Sequence, residues 1–393
     1  MSIPEQIGLD WQLTGFTGWG VFGINLALTL KRRGGPMPVI LRPPIRLDLD
    51  PLRERFLADE TRWANEVAGP ARERHGGRVA ARIPVLHALG SQLGREPDPT
   101  AGRPDIGVVF LEGTRLSPEA MDRAGGFARL LAGSTWLSGL LRRRGIGHVV
   151  PVLQGIDPTL FHPGPRTRPF GDRFVVFSGG KLELRKGQDL VIEAFRRVRD
   201  RHRDALLVTA WQNPWPESAR SLAAAGKVPF GPDYVQGRGH DIDAWLGRLG
   251  LPAGAHVDLG YVPNASMAAV LRECDVAVLP SRAEGGTNLV AMECMAVGLP
   301  TIVSANTGHL DLLALDGGAI ALRGQGSVRP LPPEQTEGWG ESDVDEIVAA
   351  IQTVRADPAA ARARGERTAA WMRAEWSWDR RVGQLVEAVA EVA

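Results

Sequence analysis

Two glycine-bearing stretches carry the residues whose types and spacing suggest chemistry. The first, "SGGKLELRKGQDL", sets Gly179 and Gly180 at the end of an apolar run and places Lys181 and Lys186 around the turn that follows. Two cations at one strand terminus repel unless something negative lies between them, and a diphosphate meets that need. Solvated surface lysines are the alternative. The second stretch, "AEGGTNLVAMECMAVGLPTIVS", follows Glu284 with Gly285, Gly286, Thr287, Asn288 and Leu289, at the entry to an apolar helix that holds one carboxylate, Glu293. Backbone N–H groups at such a helix entry favour an anion. Glu293 falls about one and a half turns into the helix, where a carboxylate turned back to a cleft accepts bonds from a pair of ribose hydroxyls. A helix cap followed by an acid that suits the helix dipole explains the same residues without a ligand.

These stretches need a scaffold, and the rest of the chain describes one. Short β-branched runs ("IGLDWQL", "ARIPVLHALG", "DIGVVFLEG", "FARLLAGSTWL", "HVVPVLQGI") alternate with helix-period segments such as "VFGINLALTLKRRGG". That alternation predicts an α/β fold with parallel sheets wound by helices. "FHPGPRTRPFGD" is rich in Pro, Gly and Arg and lacks an apolar period, so it reads as a linker. The alternation restarts beyond it, with Leu190, Val191, Ala194, Phe195 and Val198 on one helical stripe. The expected layout is a Rossmann-like domain over 1–165, a second over 166–365 with a cleft between them, and a terminal helix over 366–393 packing back on the first. In open α/β sheets ligands lie beyond the carboxyl ends of the strands, where both glycine stretches fall.

Composition sets bounds. The chain has 393 residues, enough for two cores. Lys and Arg number 46 against 45 Asp and Glu, so no global charge argues for nucleic acid, and any anion site must be local. The two cysteines, Cys274 and Cys294, sit in apolar, helix-like surroundings, which suits a reducing compartment. The opening "MSIPEQIGLDWQL" lacks a basic region followed by an apolar one, and no run approaches the roughly 18 to 20 apolar residues of a membrane span. A cytoplasmic protein, peripheral at the inner membrane face at most, is the expectation. The basic "LLRRRG", Leu140 to Gly145, is either a surface for anionic lipid or a solvated helix face.

Together the motifs resemble the retaining glycosyltransferases of family 4, which have the GT-B architecture of two facing Rossmann-like domains. "VLQGIDPTLFHPG" is similar to the segment that ends the family's first domain. "GGKLELRKGQDLVIEAF" is similar to its phosphate-binding turn, with Lys181 where Arg is usual and Lys186 where Lys is usual. "HVDLGYVPNASMAAVLRECDVAVLPS" and "EWSWDRRVGQLVEAV" resemble its later strands and its terminus. The resemblance implies a nucleotide-diphosphate sugar donor, no cofactor and no metal. It assigns Lys181 and Lys186 to the diphosphate, Glu293 to the ribose, and the backbone of Gly260, Tyr261 and Val262 to the base. It assigns Gly180, Glu284 and the Gly285 to Leu289 turn to the sugar and phosphates, and the early loop with Gly18, Trp19 and Gly20 to donor and acceptor across the cleft. Leaving-group charge would be stabilised by the lysines and the helix terminus, with the departing phosphate taking the acceptor's proton on the same face.

Two departures from the family stand out. The gap between Glu284 and Glu293 is one residue longer than usual. The His common at the end of a first-domain strand is missing, and Glu112 is presented there instead, ahead of His87 as the candidate because a buried core histidine is the commoner fate of such a residue. The long stretch from Ala210 to Trp245 offers Trp211 and Trp215 as platforms for an acceptor sugar, or as anchors that pack the loop down. Besides glycosyl transfer to a glycan, lipid-linked glycan, protein or small-molecule hydroxyl, a GT-B nucleotide-sugar epimerase and a non-catalytic nucleotide-sugar-binding partner subunit are the readings to test.

Overall fold

The apolar runs become strands of two six-stranded, all-parallel sheets in a computed structural model describing residues 3–76, 79–213, 215–229, 231–236, 239–329, 331–332 and 335–393. The first sheet holds β1 (Gln6–Leu9), β2 (Met37–Ile40), β3 (Val85–Leu89), β4 (Asp105–Val109), β5 (Arg129–Ala132) and β6 (Val149–Pro151), in the order β2-β1-β3-β4-β5-β6. The second holds β7 (Phe174–Gly179), β8 (Ala205–Ala210), β9 (His256–Asp258), β10 (Val276–Leu279), β11 (Thr301–Ser304) and β12 (Ile320–Leu322), in the order β9-β8-β7-β10-β11-β12. Every residue of β3 and β7 is buried, as expected where helices cover both faces of a parallel sheet. The winding direction reverses between β1 and β3 and again between β7 and β10. Those two reversals open the crevices in which such sheets bind ligands.

Helix termini follow the local sequence. In the Gly18–Arg33 helix, Thr17 Oγ1 accepts the Gly20 N–H at 3.0 Å, and Gly34 at φ +77° turns its N–H back to Lys31 O. The Gln188–Arg201 helix buries Leu190, Val191, Ala194, Phe195 and Val198 against the second sheet.

The two domains are tied at a double crossing. Ile156 N–H donates to Trp376 O at 2.7 Å, and Trp378 N–H donates to Ile156 O at 3.0 Å. A Cβ on Gly155 would lie 2.7 Å from Trp378 Cα, so only glycine lets the two strands of chain pass. The chain's last helix, Trp378–Ala390, buries Trp378, Val382, Leu385, Val386 and Val389 in the first-domain core. Each contributes roughly 1.5 to 3 kcal/mol by leaving water. The preceding helix, Pro358–Glu375, packs with the second domain instead, so the return to the first domain begins at Trp376–Trp378 and not at residue 366.

Candidate active site

At the reversal between β7 and β10, two loops meet. After β7 the chain turns at Gly180 (φ +118°), makes a short 3-10 turn over Leu184–Lys186, and enters the Gln188–Arg201 helix through Gly187 at φ +71°. After β10 it runs through Ser281 to Glu284 and the Gly285 to Asn288 turn into the Leu289–Ala296 helix. Arg282, fully buried, binds the loops together. Its guanidinium donates to both Asp189 oxygens at 2.9 and 2.7 Å, to Leu184 O at 2.7 Å and to Glu341 at 2.9 Å. A planar five-donor group can satisfy that many acceptors, which a lysine cannot.

Glu284 is the centre of what the loops build. Its carboxylate accepts from Lys186 Nζ at 2.7 Å, Arg185 at 2.9 Å, Ser281 Oγ at 2.6 Å and Asn288 Nδ2 at 3.0 Å, with the side chain 5% exposed. Burial alone would raise its pKa, but Lys186 and Arg185 hold it down to about 2. Burial in turn pulls the Lys186 ammonium below the ordinary lysine value, opposed by Glu284. Arg185 faces two further carboxylates, Glu183 at 2.7 Å and, from the loop after β4 in the first domain, Glu112 at 3.4 Å. The cluster therefore spans the cleft. Asn288, at φ +62°, also meets His309 Nε2 at 3.1 Å, and burial drops the His309 pKa to about 4, keeping the ring neutral.

Around this cluster the domains interlock. Ser134 Oγ donates to Gly285 O at 2.8 Å, and a Cβ on Gly285 would stand 2.6 Å from the Phe110 backbone, so the glycine is demanded by the approach of β4's loop. A segment of the second domain lies over the outer side. Trp339 Nε1 donates to Glu112 O at 3.0 Å, Glu337 N–H donates to Thr114 Oγ1 at 3.0 Å, and the Glu337 carboxylate pairs with Arg143 at 3.0 Å and Arg144 at 2.8 Å. On the opposite side Asn264 Nδ2 donates to Glu293 at 2.6 Å beside a cavity of about 30 Å³ lined by Gly15, Asn25, Asp48 and Asn264.

Residues 261–385 match the family described as "Family 4 Glycosyltransferase in conflict systems". Over 246 residues the chain is 27% identical to the GDP-mannose-dependent alpha-(1-6)-phosphatidylinositol monomannoside mannosyltransferase of Mycolicibacterium smegmatis, covering 59% of this chain and 54% of that one. The chain thus spans about half the length of that relative. It is 26% identical to the D-inositol 3-phosphate glycosyltransferase of Kineococcus radiotolerans, over 95% of this chain and 89% of the relative. In fold it is similar to the sucrose-phosphate synthase of Thermosynechococcus elongatus (TM-score 0.65, 17% identity, 98% of each chain). It is equally similar to Anabaena HepE, solved with UDP and glucose (TM-score 0.65, 15% identity, 98% of this chain and 99% of that one). Over residues 261–385 the chain is similar to the family 4 glycosyltransferases. Its architecture is GT-B.

The structure brings together Lys186, Glu284, Asn288 and Glu112, but not Lys181. The Lys181 ammonium lies 5.2 Å over the Trp215 ring and 3.7 Å from Glu183, with the side chain 39% exposed. The turn into the 3-10 helix faces Arg185 inward and leaves Lys181 at the rim. Gly285, Gly286 and Thr287 are all buried where the two domains meet, against Phe110 and Gln154 of the first domain. Leu289 is half-buried between the two cores. Burial raises the Glu293 pKa to about 8, opposed by Asn264, which favours the protonated carboxyl.

Gly260, at φ +62°, donates its N–H to Asp258, and Val262 is half-buried beside it. The Tyr261 hydroxyl donates across the cleft to Asp48 while Arg46 lies 4.6 Å over its ring. In the early loop Gly18 is open, whereas Gly20 is pressed on Thr14. Trp19 packs 4.6 Å from Phe110 in an aromatic group with Trp11 and Phe22. Trp211 is fully buried and donates to Ser178, which removes it as a platform for an acceptor; Trp215 remains exposed. His87 is buried within a first-domain network. The basic run is used internally, Arg142 donating to Val149 O and Arg143 and Arg144 pairing with Glu337. Arg185, Asn264, His309 and the 335–341 segment are additions to the sequence reading. Arg185 was visible beside Lys186 in "LRKG"; the others gave no local signal.

Proposed function

We propose that this protein transfers a sugar, with retention of anomeric configuration, from a nucleotide-diphosphate sugar to a hydroxyl acceptor without a metal ion. The observation that carries the reading is the buried Lys186–Glu284–Arg185 cluster at the β7/β10 reversal, faced by Glu112 from the other domain. The names of the relatives support it: the M. smegmatis protein is GDP-mannose-dependent, and Anabaena HepE was solved with UDP and glucose. In this reading the leaving-group charge is met by Lys186 and Arg185.

In the step itself the bond between the anomeric carbon and the diphosphate oxygen breaks, and the acceptor oxygen bonds to the same carbon on the same face. The acceptor proton passes to a departing phosphate oxygen. Negative charge grows on that phosphate, where preorganised cations stabilise the transition state more than the ground state. Glu112 stands where it can orient the acceptor or stabilise positive charge on the sugar. The epimerase and partner-subunit readings gain no support from the relatives, which are named as transferases and synthases. Among the described residues no helix is long and apolar enough to cross a membrane. Both cysteines are buried and unpaired, which supports action in a reducing cytoplasm.

Calorimetric titration with UDP, GDP, ADP and dTDP, and then with their sugars, tests the reading. One diphosphate bound tightly by the wild type, and its sugar consumed with an α-linked donor giving an α-linked product, is the expected result. A folded protein that binds none of them refutes it.

A further inference from the structure

The cations around Glu284 are already neutralised by the protein, and that raises the question of how a diphosphate enters. Arg185 and Lys186 face three carboxylates, Glu112, Glu183 and Glu284, at 2.7 to 3.4 Å. A diphosphate brought into this group adds like charge at contact distance unless a carboxylate leaves. Glu284 is the least able to move: it is 5% exposed and also held by Ser281 and Asn288. Glu183, 13% exposed, lies on the same turn as Arg185. Glu112 is different. Its contact with Arg185 is the longest at 3.4 Å, its side chain is 28% exposed, and it belongs to the opposite domain.

We infer that Arg185, rather than Lys181, is the second cation of the diphosphate grip, and that the donor takes Arg185 by displacing Glu112. This rests on the donor reading above and specifies which residues carry it. The displacement gives Glu112 two states. In the free protein it caps Arg185 and helps hold the domains together; with donor bound it is released into the cleft beside the transferred sugar. The guanidinium suits the exchange because its fork accepts a carboxylate or a phosphate edge with the same geometry. Lys181, over Trp215 at the solvent rim, screens the entrance without gripping the ligand.

The inference makes opposite demands on two residues in direct contact, which a structural role for either would not. The measurement is calorimetric affinity for whichever nucleoside diphosphate the wild type binds, alongside turnover of its sugar, in full-length variants checked by melting. Arg185→Gln is expected to weaken binding by about tenfold or more, with Arg185→Lys recovering part of the loss. Lys181→Gln is expected to change binding by less than about threefold. Glu112→Gln is expected to bind the diphosphate several-fold more tightly, because a competing carboxylate is gone, while turning over more slowly. If Lys181→Gln loses binding and Arg185→Gln keeps it, or if Glu112→Gln weakens the diphosphate, the exchange is refuted while the donor reading stands. If the wild type binds no nucleotide, both fall together. Should Arg185→Gln fail to fold, the Glu112→Gln affinity and the Lys181→Gln control still decide it.

Discussion

Each domain buries an ionic cluster near the reversal of its sheet, and the two differ in what completes them. In the first domain Asp10, just past β1, accepts from Arg42 and Arg72 at 3.0 Å and from the Thr100 N–H at 2.8 Å. Its other oxygen lies 3.3 Å from His87 Nδ1, and His87 Nε2 meets Asp105 at 2.9 Å. Every partner is from the same domain. Burial disfavours the imidazolium, but Asp10 and Asp105 outweigh it and raise the His87 pKa. In the second domain the partners of Arg185 and Glu284 include a carboxylate from across the cleft. A saturated cluster within one domain holds a fold; one that needs the other domain can exchange a partner for a ligand. Buried charge and a shifted pKa alone would not have separated them.

The largest expected effect tests the functional side of this contrast. Glu284→Ala should lower turnover by about 10³-fold with the fold intact, because Arg185 and Lys186 lose their shared anchor and the grip is no longer preorganised. Steady-state kinetics with a melting control measures it. The opposite pattern is expected at Asp10→Asn: removing the anion leaves Arg42 and Arg72 without their carboxylate and His87 with Asp105 alone, and should cost about 3 to 5 kcal/mol of stability, while the protein that remains folded keeps its affinity for the donor diphosphate. Loss of that affinity in folded Asp10→Asn would break the comparison.

The pH dependence of stability sharpens it further. Glu293 has a pKa raised to about 8 from an ordinary 4.5, so the folded state holds a proton that the unfolded state releases. Its stabilisation is complete below about pH 4.5 and is lost as pH rises toward 8, by about 2 to 5 kcal/mol. His87, also raised, adds a loss in the same direction as pH climbs through its folded pKa. Glu284 acts in reverse: with its pKa held to about 2, its contribution is present above 4.5 and lost as pH falls toward 2. Chemical denaturation across pH should therefore show a decline from pH 5 to 8 that Glu293→Gln largely removes. An unchanged decline in that variant would place the titration elsewhere.

The smallest effect is expected at the outer segment. Glu337 pairs with Arg143 and Arg144 at side chains 37 to 57% exposed, so Glu337→Gln should cost no more than about 1 kcal/mol. Its mark should be faster amide exchange at 335–341 and a weaker dependence of that exchange on salt. A cost of several kcal/mol would mean that the segment is part of the domain interface and not a cover over it.

Much of the architecture was readable before any coordinates. The alternation of β-branched and helix-period runs marked both sheets, because burial on two faces leaves few polar residues in a parallel strand. "FHPGPRTRPFGD" marked the passage between domains. Lys186 and Glu284 were placed correctly at strand ends, because glycines at β7 and after β10 can only be turns into the following helices. The departures from the sequence reading share one origin. Lys181 and Lys186 looked like a pair since they flank one turn, but the direction a side chain takes from a 3-10 turn depends on what packs around it. Trp211 and Trp215 looked alike from composition, yet the first is buried on Ser178 and the second is exposed.

The sequence alone determined the period of each element, the position of each turn and the family-like order of motifs, since those depend on neighbours within a few residues. Tertiary structure decided which charges meet. Arg185 pairs with Glu112, and Arg143 and Arg144 with Glu337, only once two domains close on each other, and Asn264 meets Glu293 only once two helices of the second domain pack together. Coulomb energy and desolvation act through a few ångströms of space regardless of separation along the chain. The fold brings residues 29 to 194 positions apart into that range, and only there do they acquire their pKa values, their partners and a ligand to exchange for them.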